Sequence, residues 1–401
     1  MDDLERALPQ ALEACKPSIL ALAGDLMAIP TENPPGRAYP ECVERIRAEL
    51  DLVGLDHRLI EAPGEAGLPR FNLLAFHGDG SRTLCLHGHY DVVPAQSSAQ
   101  FNPRVEGGWL IGRGSADMKA GIAAMVYAAH LLKQLNAPLR GRVGLCIVAD
   151  EETGGRGGSG YLDELGLLGR DAVAMLTPEP TGGVVWNANR GAITLRVTVK
   201  GRAAHVGLQH QGINAFEQML RVASALQGLK ADVERRRTSY RIGPDAAANS
   251  ILMLGGRVEG GTNFNVVPES CSFTLDRRFN PEEDTETEKA RLFAVLEKLR
   301  GEGIDLSVET LQEGCSSGVP EDDPTGQILA ETIKAVAGEP ARFEMCPGLL
   351  ETRWYARKGI PAFAYGPGRL DLAHGPDEAV EIERIWQCTL ACAVFACRLL
   401  S

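Results

Sequence analysis

The sequence predicts an α/β protein: a mostly parallel-sheet domain with helices on both faces, interrupted by an inserted ferredoxin-like (βαββαβ) domain. Three observations predict it. Short continuous apolar runs, the mark of strands buried on both faces, alternate with helical patterns over the first 190 residues. Near Arg190 the pattern changes to strict alternation of apolar and polar residues. The chain has 401 residues, comfortable for two domains.

Taken in order, a helical pattern runs from Leu4 to Met27 and stops at the breaker cluster Ile29-Pro30-Thr31-Glu32-Asn33-Pro34-Pro35-Gly36. A second helix fits Tyr39 to Leu52. Buried strands fit Asn72 to His77, Thr83 to Leu86, Val143 to Ala149 and Ala172 to Leu176. Between them, Met118, Ile122, Met125, Val126 and Ala129 form one stripe of a helix from Ala116 to Gln134. A further helical pattern covers Tyr161 to Leu168. After Arg190, Ile193, Leu195, Val197 and Val199 alternate with polar residues, as in a half-exposed strand. A helix with Phe216, Leu220, Ala223 and Leu226 follows. Then come strands near Ser250–Val258 and Ser270–Arg278, a helix with Leu292, Leu296 and Leu299, and a strand with Ile304, Leu306 and Val308. That order is the split β-α-β unit. A last buried strand, Pro361 to Tyr365, precedes a terminal helix. The domains are therefore expected at 1–190, 191–311 (inserted) and 312–401.

Composition narrows the function. The 53 acidic residues exceed the 41 Lys and Arg, for a net charge of −12, and no basic run offers a phosphate-binding surface. Nucleic acid is excluded as an expected partner. No run of apolar residues approaches the length of a membrane span, and the start MDDLERALPQ is unlike a signal peptide. The expected location is the cytoplasm. Ten cysteines without a C-x-x-C pair, most of them inside apolar runs, read as reduced core residues.

Polar clusters follow the buried strands: His87-Gly88-His89-Tyr90-Asp91, Asp150-Glu151-Glu152, Thr177-Pro178-Glu179, and His374 beyond the last strand. In an open parallel sheet the carboxyl ends of strands share one crevice. Asp117 starts a helix that can face the same edge. His89, Asp117, Glu152, Glu179 and His374 then collect as ligand-type groups. Three converging carboxylates would repel. Two divalent cations relieve that, and a bridging hydroxide would bring the cluster to neutrality. Histidine mixed with carboxylate suits zinc, with cobalt or manganese as alternatives. Adjacent Glu151 and Glu152 point different ways in extended backbone, so one can ligate while the other moves a proton. Asp91 can fix the tautomer of His89. The expected chemistry is amide hydrolysis by a metal-bridging water.

The segments GHYDVVP (Gly88–Pro94), GRGSADMKAG (Gly112–Gly121), ADEETGG (Ala149–Gly155), TPEP (Thr177–Pro180), GRAAHVGLQHQGINA (Gly201–Ala215), NVVPE (Asn265–Glu269), LDRRF (Leu275–Phe279), GIPAFAYGPG (Gly359–Gly368) and AHGPDE (Ala373–Glu378) carry a resemblance. In this order they are similar to the dinuclear zinc amidohydrolases that include acetylornithine deacetylase, succinyl-diaminopimelate desuccinylase, aminoacylase and glutamate carboxypeptidase. The resemblance implies His89, Asp117 and Glu179 on one metal, and Asp117, Glu152 and His374 on the other, with Asp117 bridging. It implies Glu151 as general base and Asp91 behind His89. His205 matches a lid histidine that reaches a neighbouring active site in the family's dimers. Asn263 or Asn265, and Arg278, match substrate contacts. Strand parity separates Arg278 from Arg277, because Arg278 shares a face with Ser272, Thr274 and Asp276. The inserted domain is thereby expected to be a lid and a homodimer surface, and the substrate a small N-acyl amino acid, dipeptide-like compound or related carboxylate-bearing amide.

One segment departs from the family pattern. Gly-Thr-Ser/Thr-Asp-x-Arg is replaced by Gly348-Leu349-Leu350-Glu351-Thr352-Arg353. Gly348 and Leu349 are expected beside the substrate, in a pocket less polar than a succinyl-binding one, with Arg353 holding a substrate carboxylate. Two competing readings stand beside this one. The first is a catalytically silent binding or regulatory protein on the same fold. The second is a dinucleotide oxidoreductase, because Gly155, Gly157 and Gly160 fit G-x-G-x-x-G. Three acids intervene between the strand and those glycines and would repel a pyrophosphate. His87 reads as a structural histidine.

Overall fold

The structure, a computed structural model, describes residues 2–64 and 67–401. The chain divides into two compact units. The first comprises Met1–Asn187, Val319–Glu344 and Glu351–Ser401, and the second Ala188–Gly318 and Met345–Leu350.

In the first unit a sheet runs in the order Asp56–Ala62, Arg70–Gly78, Arg142–Val148, Thr83–His89, Ala172–Thr177, Ala362–Ala364. The last four strands pair in parallel. The first two add in antiparallel fashion at the edge. Central Thr83–His89 is buried along its whole length, which explains its unbroken apolar start. Alternation still sorts its side chains. Leu84 and Leu86 enter the larger core, while Cys85 enters a smaller one on the other face. Helices Asp2–Ala28, Tyr39–Leu52, Lys119–Gln134, Pro324–Ala337 and Ile382–Leu399 supply the larger core. Leu162, Leu168 and Tyr355 cover the smaller one. The first helix continues through Pro9 and Pro17, with Leu8, Leu12, Ile19 and Leu22 buried on its inner side. Packing there outweighs the helix-breaking tendency of proline.

The parallel register brings strand ends together. His89 pairs with Val148, and Ala364 with Thr177. The segments that follow these strands leave the sheet at one edge.

The second unit has a sheet ordered Ile251–Gly260, Ser270–Phe279, Gly191–Lys200, Leu306–Gly314, all antiparallel. Helices Ala215–Val233 and Thr285–Gly301 pack on the face made by Ile193, Leu195, Val197, Val199, Phe273 and Leu275. The other face carries the polar half of each alternation. This is the ferredoxin-like arrangement.

Two expected helices are shorter than the pattern suggests. The one expected from Ala116 begins at Lys119. The amides of Ala116 and Asp117 bond the Glu378 carboxylate instead of helical carbonyls. The one expected over Tyr161 to Leu168 ends at Glu164, where Gly166 turns the chain with φ +65. All of the ten cysteines but Cys315 are buried, as their place in apolar runs predicts. Among the described residues, no helix is long and apolar enough to cross a membrane.

Candidate metal centre and active site

Five side chains meet at the strand-end edge of the first unit, in two groups that share Asp117. His89, Asp117 and Glu179 form one, and Asp117, Glu152 and His374 the other. Asp117 divides its two oxygens between them. Oδ1 lies 3.1 Å from His89 Nε2, and Oδ2 lies 3.2 Å from His374 Nε2. His374 Nε2 is 3.4 Å from Glu152 Oε1, and His89 Nε2 is 3.9 Å from Glu179 Oε1.

The backbone around these groups is held by charge. Asp91 Oδ1 accepts the amide of Glu151 at 3.2 Å, and its Oδ2 accepts the amide of Glu152 at 3.1 Å and Asn33 Nδ2 at 2.9 Å. Charge-assisted bonds of this kind contribute about 1.5–3 kcal/mol each. The expected role of Asp91 was to orient His89. Here His89 Nδ1 bonds the Asp91 main-chain oxygen at 3.0 Å, and the carboxylate lies 3.5 Å away. The Asp91 carboxylate therefore holds chiefly the turn that carries both glutamates. Asp150, just before them, adopts a left-handed φ of +65 and pairs with Arg70 at 2.6 Å. His374 is also left-handed, at φ +63. Non-glycine residues in that region are uncommon and gather at functional sites.

A second carboxylate acts in the same way on the other side. Glu378 is buried, pairs with Arg113, and through Oε1 accepts the amides of Gly114 and Ala116 at 3.0 Å and of Asp117 at 3.1 Å. This fixes the turn that presents Asp117. Sequence reading quoted Glu378 inside a motif but gave it no role. Asn33, Arg70 and Arg113 were likewise missed, because each lies far along the chain from the group it supports.

The electrostatics fit cations. Glu179 Oε1 is buried and accepts no hydrogen bond among the described residues, and Glu152 Oε1 has only His374 at ion-pair distance. Burying carboxylate oxygens without donors is costly. Burial, reinforced by the charge of Asp117, pushes the Glu179 carboxyl up to about 8. Burial also raises Glu152 and Glu151, the latter further through Glu179, Glu152 and Glu351. Hydrogen bonds to Asp117 and Glu152 push His374 up to about 10. For Asp117, burial acts upward, but the bonds to His374 and His89 win and hold the carboxyl low. Protons thus sit where divalent ions would satisfy the same atoms. Two N/O donor sets with a shared carboxylate are the chemistry of a two-metal hydrolytic site.

The other expected site residues stand elsewhere. His205, Asn263, Arg278, Gly348 and Leu349 belong to the second unit. His205 is exposed, with Nδ1 accepting the Gly207 amide at 3.1 Å. Asn263 Oδ1 accepts the Phe264 amide at 2.8 Å. Arg278 lies on the polar face of its strand and pairs with Asp276 at 2.9 Å, whereas Arg277 is buried against Glu288 and Glu283. Leu349 is half-buried and Leu350 buried. Arg353, expected at a substrate carboxylate, is 2% exposed, joins Glu351 at 3.2 Å and donates to the Gly154 carbonyl at 3.0 Å.

The glycine stretch is also settled by contact. Gly155 has φ +74, and a Cβ there would lie 2.9 Å from Glu351 Oε1. A Cβ on Gly157 would lie 2.5 Å from Asp150 Oδ2. These glycines pack the chain tightly behind the Glu151–Glu152 turn rather than opening a phosphate cradle.

The model of the family described as Peptidase family M20/M25/M40 matches residues 85–397. A succinyl-diaminopimelate desuccinylase from Rhodospirillum centenum is 29% identical over 389 residues, covering 93% of this chain and 95% of that protein. Two solved structures share the fold. One is a metallo-carboxypeptidase of the M20 family from Sulfolobus solfataricus, at TM-score 0.80 and 17% identity, covering 94% of this chain and 98% of that one. The other is a dinuclear metal binding peptidase of the M20 family from Bacillus subtilis, at TM-score 0.69 and 18% identity, covering 97% and 99%.

Proposed function

This chain belongs to peptidase family M20/M25/M40 and is a hydrolase of amide or peptide bonds, and on that premise we propose that it cleaves a carboxylate-bearing amide, an N-acyl amino acid or dipeptide-like compound. The single observation that carries the reading is the pair of ligand groups hinged on Asp117, with Glu151 next to one ligand and outside both groups. A silent binding protein has no use for such a free acid beside a metal set. Against the dinucleotide reading stand the family match and the packing of Gly155 and Gly157 against the Glu351 and Asp150 carboxylates, which would repel a pyrophosphate.

In this proposal His89, Asp117 and Glu179 hold one divalent cation, and Asp117, Glu152 and His374 a second. Zinc is favoured by the mixed imidazole and carboxylate donors, with cobalt and manganese as alternatives. When bound, the two cations polarise the scissile carbonyl and acidify the attacking water. The Glu151 carboxylate takes the proton from that water and delivers it to the departing amine nitrogen. Asp91 keeps Glu151 and Glu152 oriented through their amides. His205 is proposed as a donor to the oxyanion, and Asn263 (or Asn265), Arg278, Gly348 and Leu349 as substrate contacts.

The test is release of primary amine from acetyl, succinyl and aromatic-acyl amino acids and dipeptides, with zinc or cobalt supplied. Leu349 and Leu350, where hydroxyl residues are usual, favour a less polar acyl group. Acetyl or aromatic-acyl substrates are expected to exceed succinyl by about tenfold, the worth of a well-placed apolar contact. His205→Ala in the same panel should lower kcat by about 10²-fold. A clear succinyl preference would sink the pocket assignment, and no release from any amide by metal-loaded protein would sink the reaction class.

We also propose a homodimer through the second unit. Its exposed apolar residues support this: Val206, Leu208, Ile213, Phe216 and Leu220 lie within one short chain segment, and Ile251, Met253 and Val258 along an edge strand. Sedimentation equilibrium should give twice the chain mass at micromolar concentration. A monomer at that concentration would overturn the proposal.

A further inference from the structure

Behind the Glu151–Glu152 turn lies a buried polar cluster that the proposed reaction does not use. Glu351 is fully buried and ionised, with its carboxyl down at about 2; burial opposes this, and Arg353, His87 and Ser159 outweigh it. Its Oε1 accepts from Trp354 Nε1 at 3.0 Å and meets Arg353 Nη2 at 3.2 Å. Its Oε2 lies 3.2 Å from His87 Nε2 and accepts from the Ser159 hydroxyl. His87 in turn places Nδ1 3.0 Å from the Tyr355 hydroxyl. Arg353 reaches past Glu351 to the Gly154 carbonyl, which ends the turn bearing both glutamates.

We propose that Glu351 is a positioning residue for the hydrolysis described above, acting through Arg353 on the Glu151–Gly155 turn. Asp91 takes the turn's amides at Glu151 and Glu152, Asn33 donates to the Thr153 hydroxyl at 2.9 Å, and Arg353 takes the carbonyl at Gly154. Of these side-chain contacts, the one from Arg353 holds the far end, where the chain leaves the turn. Arg353 is a rigid planar donor with several N–H groups, so it can serve the carboxylate and the carbonyl together. Without the Glu351 charge, the buried guanidinium would lose an ionic partner 3.2 Å away and shift from its place at the turn. His87 ties the same carboxylate to the strand that ends in His89. Strand and turn, which carry ligands of different groups, are thereby referenced to one fixed point. The segment that departs from the family pattern then has a function in this chain: Arg353 braces the catalytic turn.

This inference rests on the amide-hydrolase reading, so the experiment separates the two. Metal-loaded wild type, Glu351→Gln and Arg353→Lys are compared by steady-state kinetics, metal content and amide hydrogen exchange of the 150–155 segment. Lysine keeps the charge but not the planar fork, and it covers the case in which Glu351→Gln fails to fold. The expected result is a kcat lowered about tenfold or more with KM within about twofold, as when geometry at the reacting centre is lost and binding is not. Metal content should stay at the wild-type level, and exchange should quicken in that segment. Unchanged kcat overturns the proposal, even if exchange quickens, because the brace would then be structural only. Loss of metal with loss of rate also overturns it, in favour of a metal-retaining role. Should metal-loaded wild type hydrolyse no amide, the reaction class falls and the positioning role falls with it, an outcome distinct from an active wild type whose variants keep their kcat.

Discussion

Glu151→Gln is expected to keep its metals and lose most turnover, by about 10²–10⁴-fold, the usual contribution of a positioned general base. The two side chains have nearly the same shape, and the main-chain bond from the Glu151 amide to Asp91 does not depend on the side chain. What changes is the ability to accept a proton. Glu151 stands outside both candidate ligand groups, so metal content should be unaffected. Its surroundings are tuned to proton transfer. Burial first, then the charges of Glu179, Glu152 and Glu351, raise its carboxyl, against the opposing pull of His89. A raised acid is a better base near neutral pH. Amine release measured beside metal analysis checks this. Turnover near wild type would show that the proton is moved by another group.

Substitutions at the ligands should divide by geometry. His374→Ala removes a donor from one group and should leave about one metal per chain. Asp117→Ala removes a donor from both groups and should leave little of either, because each site would keep only two protein ligands where three are usual. Proton counting gives a second readout on the wild type. With Glu179 at about 8, His374 at about 10, and His89 held well above the usual imidazole range by Asp117 and Asp91 against the opposing effect of burial, all three groups carry protons at pH 7 in the metal-free protein. Cations must displace them, so metal loading at pH 7 should release about three protons per chain, and affinity should rise as pH increases. His374→Ala should release fewer. Calorimetry in buffers of different ionisation heat, with metal analysis, measures both. Full metal retention by Asp117→Ala would dismiss the shared-ligand arrangement.

The brace and the ligand set differ in how visible they were. His89, Glu152 and Glu179 stand at or just after buried strands, and parallel pairing makes strand ends coincide, so these three are legible in the sequence as a group, with Asp117 at a helix start and His374 beyond the last strand as segments able to reach the same edge. The second unit was legible too, because alternation at Ile193, Leu195, Val197 and Val199 encodes a one-sided sheet whichever way it is packed. Arg278 and Arg277 separate by the same period of two.

Local pattern determined the elements, the shared edge and the residue types able to bind metal, because periodicity and strand direction are properties of short chain segments. Contacts between distant segments decided the rest. The helix after Asp117 starts late because Glu378, 261 positions along, takes the Asp117 amide. Asp91 holds the Glu151–Glu152 turn more than it holds His89. Arg353, expected at a substrate carboxylate, is turned inward by Glu351 and Gly154. In each case a buried charge must find its partner wherever the fold supplies one, and no periodicity in the sequence records where that is.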